Sequence, residues 1–96
     1  MEVAREEDNV TLTKASVTLD GSSDALVAAN ELRKIVIVSN PAANANAAVD
    51  PTGGTCALDA GIPLAPGGTY EFTGKAARSA MTCIGTNGQK LVVYTG

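Results

Sequence analysis

The chain has 96 residues, with no histidine, two cysteines, 3% aromatic residues and a net charge of −3. This length predicts one small domain, and its many alanines predict a thin core because alanine buries little area. The scattered basic residues argue against nucleic-acid binding, no apolar run approaches the ~18 residues of a membrane span, and a histidine-dependent catalytic or zinc site is excluded.

The first nine residues are predicted to form an arm, and residues 10–96 a single β domain. Arg5, Glu6, Glu7 and Asp8 form a charged run that is typical of a solvated tail. The segment has no apolar region of the kind found in secretory signals, so we expect synthesis in the cytoplasm without export by that route.

Alternating apolar and polar residues predict half-buried strands at 10–12 and 17–19, with a bend or bulge at 14–16 where the alternation loses phase. Residues 24–34 suit either a short helix or a strand at 25–28 followed by a loop, and we favour the strand. Four consecutive β-branched residues at 35–38 predict a strand covered on both faces, which places it centrally or against a neighbouring subunit.

The second half of the chain continues with short strand patterns separated by proline and glycine turns. Proline within one of these patterns indicates an edge strand at Pro63, and Tyr70 and Phe72 are expected on the same face of another. Asn87-Gly88 predicts a type I′ hairpin spanning 80–94. The predicted strands before that hairpin are 44–49 at a sheet edge, 55–58, 62–64 and 69–73.

About seven short strands with turns every eight to twelve residues predict an all-β fold, a small antiparallel β-sandwich or barrel. Cys56 and Cys83 fit a pair of buried thiols or a disulfide, and a disulfide would be unusual in a reducing cytosol. A reactive thiol is the third interpretation, for which no histidine is available as activator. The acids Asp59 and Glu71 are expected to face solvent, and no phosphate-binding or dinucleotide-binding loop is present. We therefore expect no enzyme activity and no cofactor.

Three segments carry a resemblance to a known group of proteins. They are "SNPAANA" at the end of a strand, "GIPLAPGGTYEF", and "IGTNGQKLVVYTG" at the end of the chain, with matching residues 39–41, 61–67 and 85–94. In this order they resemble a widespread group of small virion proteins of tailed bacteriophages, over about two thirds of the chain. Tyr94-Thr95-Gly96 departs from the pattern, which has an acidic residue there, and the cysteines lie outside the pattern.

The resemblance implies a virion structural protein, and specifically a capsid decoration (cement) protein that binds the outer surface of the shell. Its expected partners are the major capsid protein and further copies of itself in a homotrimer. The alternatives are a tail- or fibre-associated module for host recognition and a neck or head-completion protein. The candidates for contact with the shell or another subunit are Met1, Glu2, Val3, Ala4, Arg5, Glu6, Glu7, Asp8, Asn9, Asn40 and Pro41.

Overall fold

The computed structural model describes residues 11–96, so the predicted arm lies outside the described residues. Eight strands form two four-stranded sheets in which every pairing is antiparallel. The elements are β1 (Thr13–Thr18), β2 (Asp24–Val27), β3 (Ile35–Ser39), β4 (Ala47–Asp50), β5 (Ile62–Leu64), β6 (Thr69–Thr73), α1 (Gly74–Arg78), β7 (Met81–Ile84) and β8 (Lys90–Thr95). The first sheet has the order β1-β8-β3-β6 and the second β2-β7-β4-β5.

The two sheets share one hydrophobic core. Alternate residues of each strand point to the same face of a sheet, and those of the first sheet, including Val36, Val38 and Leu91, join Val49 and Met81 of the second in one buried cluster. This arrangement confirms the predicted all-β antiparallel fold. It is a sandwich because the sheets remain separate, each with two free edges.

Most connections cross from one sheet to the other. Within residues 11–96, only β4 and β5 are consecutive strands that also pair with each other. The predicted hairpin at 80–94 is therefore wrong, because β7 pairs with β2 and β4 whereas β8 pairs with β1 and β3. Two apolar strands joined by a turn satisfy a local hairpin pattern equally well when each is buried in a different sheet, so the pattern alone did not distinguish the two arrangements.

The turn between β7 and β8 explains how the chain crosses. The amide of Gln89 donates to the carbonyl of Thr86 at 3.1 Å, and the amide of Gly88 donates to the carbonyl of Leu19 at 2.8 Å. Gly88 has a φ of 88°, but no non-glycine residue of 11–96 has a positive φ, so Asn87 does not adopt the type I′ conformation. The turn instead joins the two sheets over one end of the sandwich.

Three other strand predictions were wrong. The register of β1 against β8 is unbroken, so no bulge occurs at 14–16. Burial of Leu12 required that bulge, and Leu12 instead precedes the strand and is 46% exposed. The segment 44–49 contains an interior strand, because β4 lies between β7 and β5. Residues 55–58 form no strand and instead cross the outer face of the second sheet, where Gly54 accepts a hydrogen bond from the Thr82 hydroxyl.

Several predictions were confirmed. The strand β2 forms where a strand was favoured over a helix, β3 is central in its sheet, and β5, which contains Pro63, lies at an edge. Tyr70 and Phe72 share a face, with ring centroids 4.8 Å apart. Only Phe72 belongs to the core, because Tyr70 is 42% exposed at the edge of the sheet.

Candidate functional site

The side chains of the described residues form no cluster of a metal-binding kind. No three cysteine, aspartate or glutamate residues within 11–96 are placed to hold a metal ion together. In that same part of the chain every buried side-chain nitrogen or oxygen has a hydrogen-bond partner. Nor does any helix of residues 11–96 have the length and apolar character of a bilayer span. The candidate surfaces lie at the two ends of the sandwich, which are taken in turn.

One end, here called the Asn40 end, consists of the segments 19–23, 40–46, 65–68 and 85–89. It is organised by a cluster of three amide side chains, here called the amide cluster: Asn40, Asn44 and Gln89. Asn40 is fully buried, and its amide nitrogen donates to the carbonyls of Ala45 and Leu64, both at 2.9 Å. Its amide oxygen accepts from the Asn44 side chain at 3.0 Å.

The rest of the amide cluster holds the β3–β4 loop against the start of β8. The Asn44 side chain also donates to the carbonyl of Lys90 at 2.7 Å, and the Gln89 side chain accepts from the amide of Ala45 at 2.9 Å. Backbone bonds complete the end: Asn40 donates to Gly68 at 2.8 Å and accepts from Gly67 at 2.7 Å. The carbonyls of Ala45, Leu64 and Lys90 thus each accept a hydrogen bond from an asparagine side chain of this loop.

The amide cluster joins three segments that are far apart in the sequence. Asn40 belongs to "SNPAANA", Leu64 and Gly67 to "GIPLAPGGTYEF", and Gln89 and Lys90 to "IGTNGQKLVVYTG". Sequence reasoning recognised these segments but not why they occur together. Their convergence gives a structural reason, since "SNPAANA" exchanges hydrogen bonds with both of the other segments.

The predicted contact residues fall into separate groups. Met1 to Asn9 lie outside the described residues. Asn40 is fully buried, which corrects the expectation that its side chain is available to a partner: its amide is used internally. Pro41, the next residue, is half-buried at the Asn40 end. Contact of Pro41 with a partner stays a prediction.

A shallow depression of about 260 Å³ opens beside the amide cluster. Leu58 is 56% exposed on its wall, and the adjoining walls come from the paired strands β4 and β5. The lining residues are Asn46, Ala47, Leu58, Pro63, Leu64 and Ala65. No sequence pattern indicated this surface, because Leu58 was expected in a strand.

The opposite end, here called the Arg33 end, consists of the segments 28–34, 51–54 and 74–80 together with Gly96. Arg33 is only 7% exposed, and its guanidinium donates to the carbonyls of Ala77, Ala28 and Ser79, the last two at 2.9 Å each. Burial lowers the pKa of the Arg33 guanidinium. The planar guanidinium has five N–H donors and serves all three carbonyls. The compact ammonium of a lysine would not span them.

The arm and Pro41 join the described domain at opposite ends. Thr13 pairs with Thr95 at the Arg33 end, whereas Ser39 precedes the loop of the Asn40 end. A second depression of about 210 Å³ lies where the chain leaves the first described residues, lined by Thr11, Thr13, Asn30, Leu32, Arg33, Thr95 and Gly96. Leu32 is 87% exposed beside it. The points of attachment therefore do not bring the two groups of predicted contact residues together.

Cys56 and Cys83 are both buried and both free thiols. Cys83 belongs to the core between the sheets. Cys56 lies on the other face of the second sheet: a Cβ added to Gly61 would be 3.1 Å from its sulfur and 3.3 Å from the Cβ of Ala48. Ala48 is outside the core cluster that contains its neighbours Ala47 and Val49, so it points outward. The structure favours the thiol interpretation over the disulfide.

Burial raises the pKa of Cys83 to about 12, with smaller contributions from the charges of Asp24, Cys56 and Asp20. Burial and the charge of Asp50 raise the pKa of Cys56. Because folding favours the protonated thiols, their contribution to stability is complete below the ordinary value of 9.0 and decreases as the pH rises through the folded pKa.

We expect neither thiol to react with a disulfide reagent such as dithionitrobenzoate at pH 8 in the folded protein, because thiolate is the reactive species and both sulfurs are buried. Unfolding in guanidinium without reductant should release two equivalents per chain, one for each cysteine. A sample reduced before unfolding is the control. Zero equivalents without reductant and two with it would establish the disulfide instead.

Comparison with known proteins adds no relative: the chain matches no family model, no curated protein and no solved structure.

Proposed function

We propose that this protein is a capsid decoration (cement) protein of a tailed bacteriophage that binds the outer surface of the shell as a homotrimer and stabilises contacts between capsomers. The observation that carries the proposal is the ordered set of three segments, 39–41, 61–67 and 85–94, which resembles small phage virion proteins. The amide cluster supports it, since it gives these segments a common structural purpose in this chain.

The rigid, internally hydrogen-bonded domain suits a protein that binds a partner and catalyses no reaction. Its ends are held by the amide cluster and by Arg33, and all buried side-chain polar groups of residues 11–96 are paired. A domain that is already ordered loses little conformational entropy on binding, so modest contacts are sufficient for each copy. On a shell with many equivalent positions, each copy makes modest contacts, and the contacts of all copies together stabilise the lattice.

The charge distribution supports a role for the arm. Residues 11–96 contain six acidic and six basic side chains, so the net charge of −3 comes from the first ten residues, in which Arg5 accompanies four acids. A neutral domain with an acidic segment favours a partner surface with a basic groove. Opposite charge across such an interface speeds association and becomes less effective as salt screens it.

The decisive measurement is the copy number in purified virions, by quantitative mass spectrometry against the major capsid protein. A ratio near that of the shell's three-fold positions supports decoration. A few copies per virion would contradict it and favour the tail, fibre or neck alternatives. Absence from virions would refute every virion role.

Deleting residues 1–9 is expected to abolish binding to purified capsids that saturate with the full chain, while the domain keeps its β-sheet circular dichroism and its unfolding temperature. A matched control keeps the length of the arm but removes its charge by E6Q, E7Q and D8N. That control should bind weakly and with a reduced dependence on salt. Capsid binding unchanged by the deletion would show that the arm is not the contact.

A further inference from the structure

The two sheets differ in how their free edges are protected. In the second sheet, β5 has three residues with Pro63 at its centre, and β2 has four residues with a register shift between Ala25 and Val27. Proline removes a ladder donor, and a bulge twists an edge away from a flat partner. Both features are known to prevent pairing with another chain.

Within residues 11–96, the edges of the first sheet have neither a proline nor a register shift. Its edge strand β1 is six residues long, and its register against β8 is unbroken. The other edge strand, β6, has five residues and pairs with β3 without a shift. Neither strand contains proline or glycine. Two regular, exposed edges of similar length are what strand addition by a further chain requires.

The edges carry opposite charges on the same face of the sheet. Lys14 is the single charged residue of β1, and Glu71 is the single charged residue of β6. Both are exposed. The cross-strand register places them in one row on the outer face, in the order Lys14, Tyr94, Ile37, Glu71.

We propose that copies of this chain associate head to tail, with β6 of one copy pairing with β1 of the next and Glu71 opposite Lys14 of the next copy. Because each strand of the sheet is antiparallel to its neighbour, β1 and β6 run in opposite directions, and the new pair is antiparallel as well. The sheet then continues from one copy into the next with the usual geometry.

The same register places Tyr70 opposite Ala15 of the next copy. Tyr70 is 42% exposed on the core side of the sheet, where it contacts Phe72. Alanine leaves room for the ring, so the pairing covers an exposed aromatic side chain. Pairing two like edges about a two-fold axis would instead bring charges of the same sign to one interface.

A head-to-tail interface closes into a ring when the rotation between copies permits it. Closure at three copies rests on the proposed function, whereas the edge pairing rests on β1 and β6 alone.

Within one chain Lys14 and Glu71 are separated by three strand spacings, about 14 Å, beyond the screening length of ~8 Å at physiological salt. Any measured coupling between them therefore reports a contact between copies.

The test measures the concentration at which the full chain dissociates to monomer, by sedimentation velocity, for the wild type, K14E, E71K and the double variant. Each single reversal is expected to raise that concentration roughly tenfold by opposing like charges, and the double variant to restore it within about threefold. The matched controls K75E and E31K make the same charge changes at exposed positions of α1 and of a loop, and should have no effect. Thermal unfolding verifies that all variants fold.

A wild type that stays monomeric at millimolar concentration would overturn the edge pairing, as would an oligomer insensitive to both reversals or one not restored by the double variant. The proposed function fails separately. Virions that lack the protein, combined with coupling between Lys14 and Glu71, would leave the pairing established and the capsid role refuted. Full copy number on the capsid, with no coupling between Lys14 and Glu71, would support the capsid role and refute the pairing.

Discussion

Replacing Asn40 by alanine is expected to lower the free energy of unfolding by about 3 kcal/mol and the melting temperature by roughly 12 to 24 °C. The substitution removes three side-chain hydrogen bonds and leaves the carbonyls of Ala45 and Leu64 without their donor. A buried group that loses its partner costs more than the bond itself contributed, because water does not replace it. Chemical denaturation followed by circular dichroism measures the change.

Two variants sharpen this prediction. N46A changes an exposed asparagine of the same loop and should alter stability by less than about 0.5 kcal/mol. N40D keeps the shape but removes both amide donors, so it should be at least as unstable as N40A at pH 7. Burial disfavours the charged carboxylate, so the stability of N40D should rise as the pH falls. A loss below 1 kcal/mol in N40A would mean that Asn40 does not hold the three segments together.

Replacing Arg33 by methionine is expected to lower the free energy of unfolding by about 2 to 3 kcal/mol. Its guanidinium is the shared donor for carbonyls from the β2–β3 loop, at Ala28, and from the region of α1, at Ala77 and Ser79. Methionine fills a similar volume but donates no hydrogen bond, so the carbonyl of Ala77 stays buried without its partner. Equilibrium unfolding in urea measures the loss.

Arg78 provides the matched control for Arg33. It lies in α1, its side chain is exposed, and R78M makes the same change of charge and size. That variant should remain within about 0.5 kcal/mol of the wild type. R33K should recover little of the stability, because a compact ammonium does not span three carbonyls in the way a planar guanidinium does. Equal losses in R33M and R78M would show that charge, and not the buried hydrogen bonds, is responsible.

Local pattern was sufficient where a strand is strongly apolar or interrupted by proline. The β-branched run at 35–38 became the central strand β3, and Pro63 marked an edge. It was insufficient for Leu12 and for 55–58, where apolar residues suggested burial in a strand. Leu12 is instead exposed before β1, and 55–58 covers the outside of the second sheet. An apolar period describes only how side chains alternate along a segment. It does not show whether a second sheet or a loop covers those side chains.

The candidate surface shows the same contrast between what local sequence indicates and what tertiary contacts decide. Sequence alone did not indicate that the segments containing Asn40, Leu64 and Gln89 meet, and it assigned Asn40 to a contact surface. Whether an asparagine after a strand faces a partner or the interior depends on which carbonyls the folded chain brings near it. In this protein they come from Ala45, five residues away, and from Leu64, 24 residues away.

The sequence by itself determined that this is a small all-β domain of short antiparallel strands, because period-two apolar patterns and proline and glycine turns are local properties of the chain. The tertiary structure alone decided which strands pair, since among the strands of residues 11–96 only one consecutive pair forms a hairpin. It also decided that Asn40 and Arg33 are interior hydrogen-bond donors and that β1 and β6 are the open edges. Pairing and burial depend on contacts between residues far apart in sequence, and no local pattern encodes which of the compatible strands becomes the neighbour.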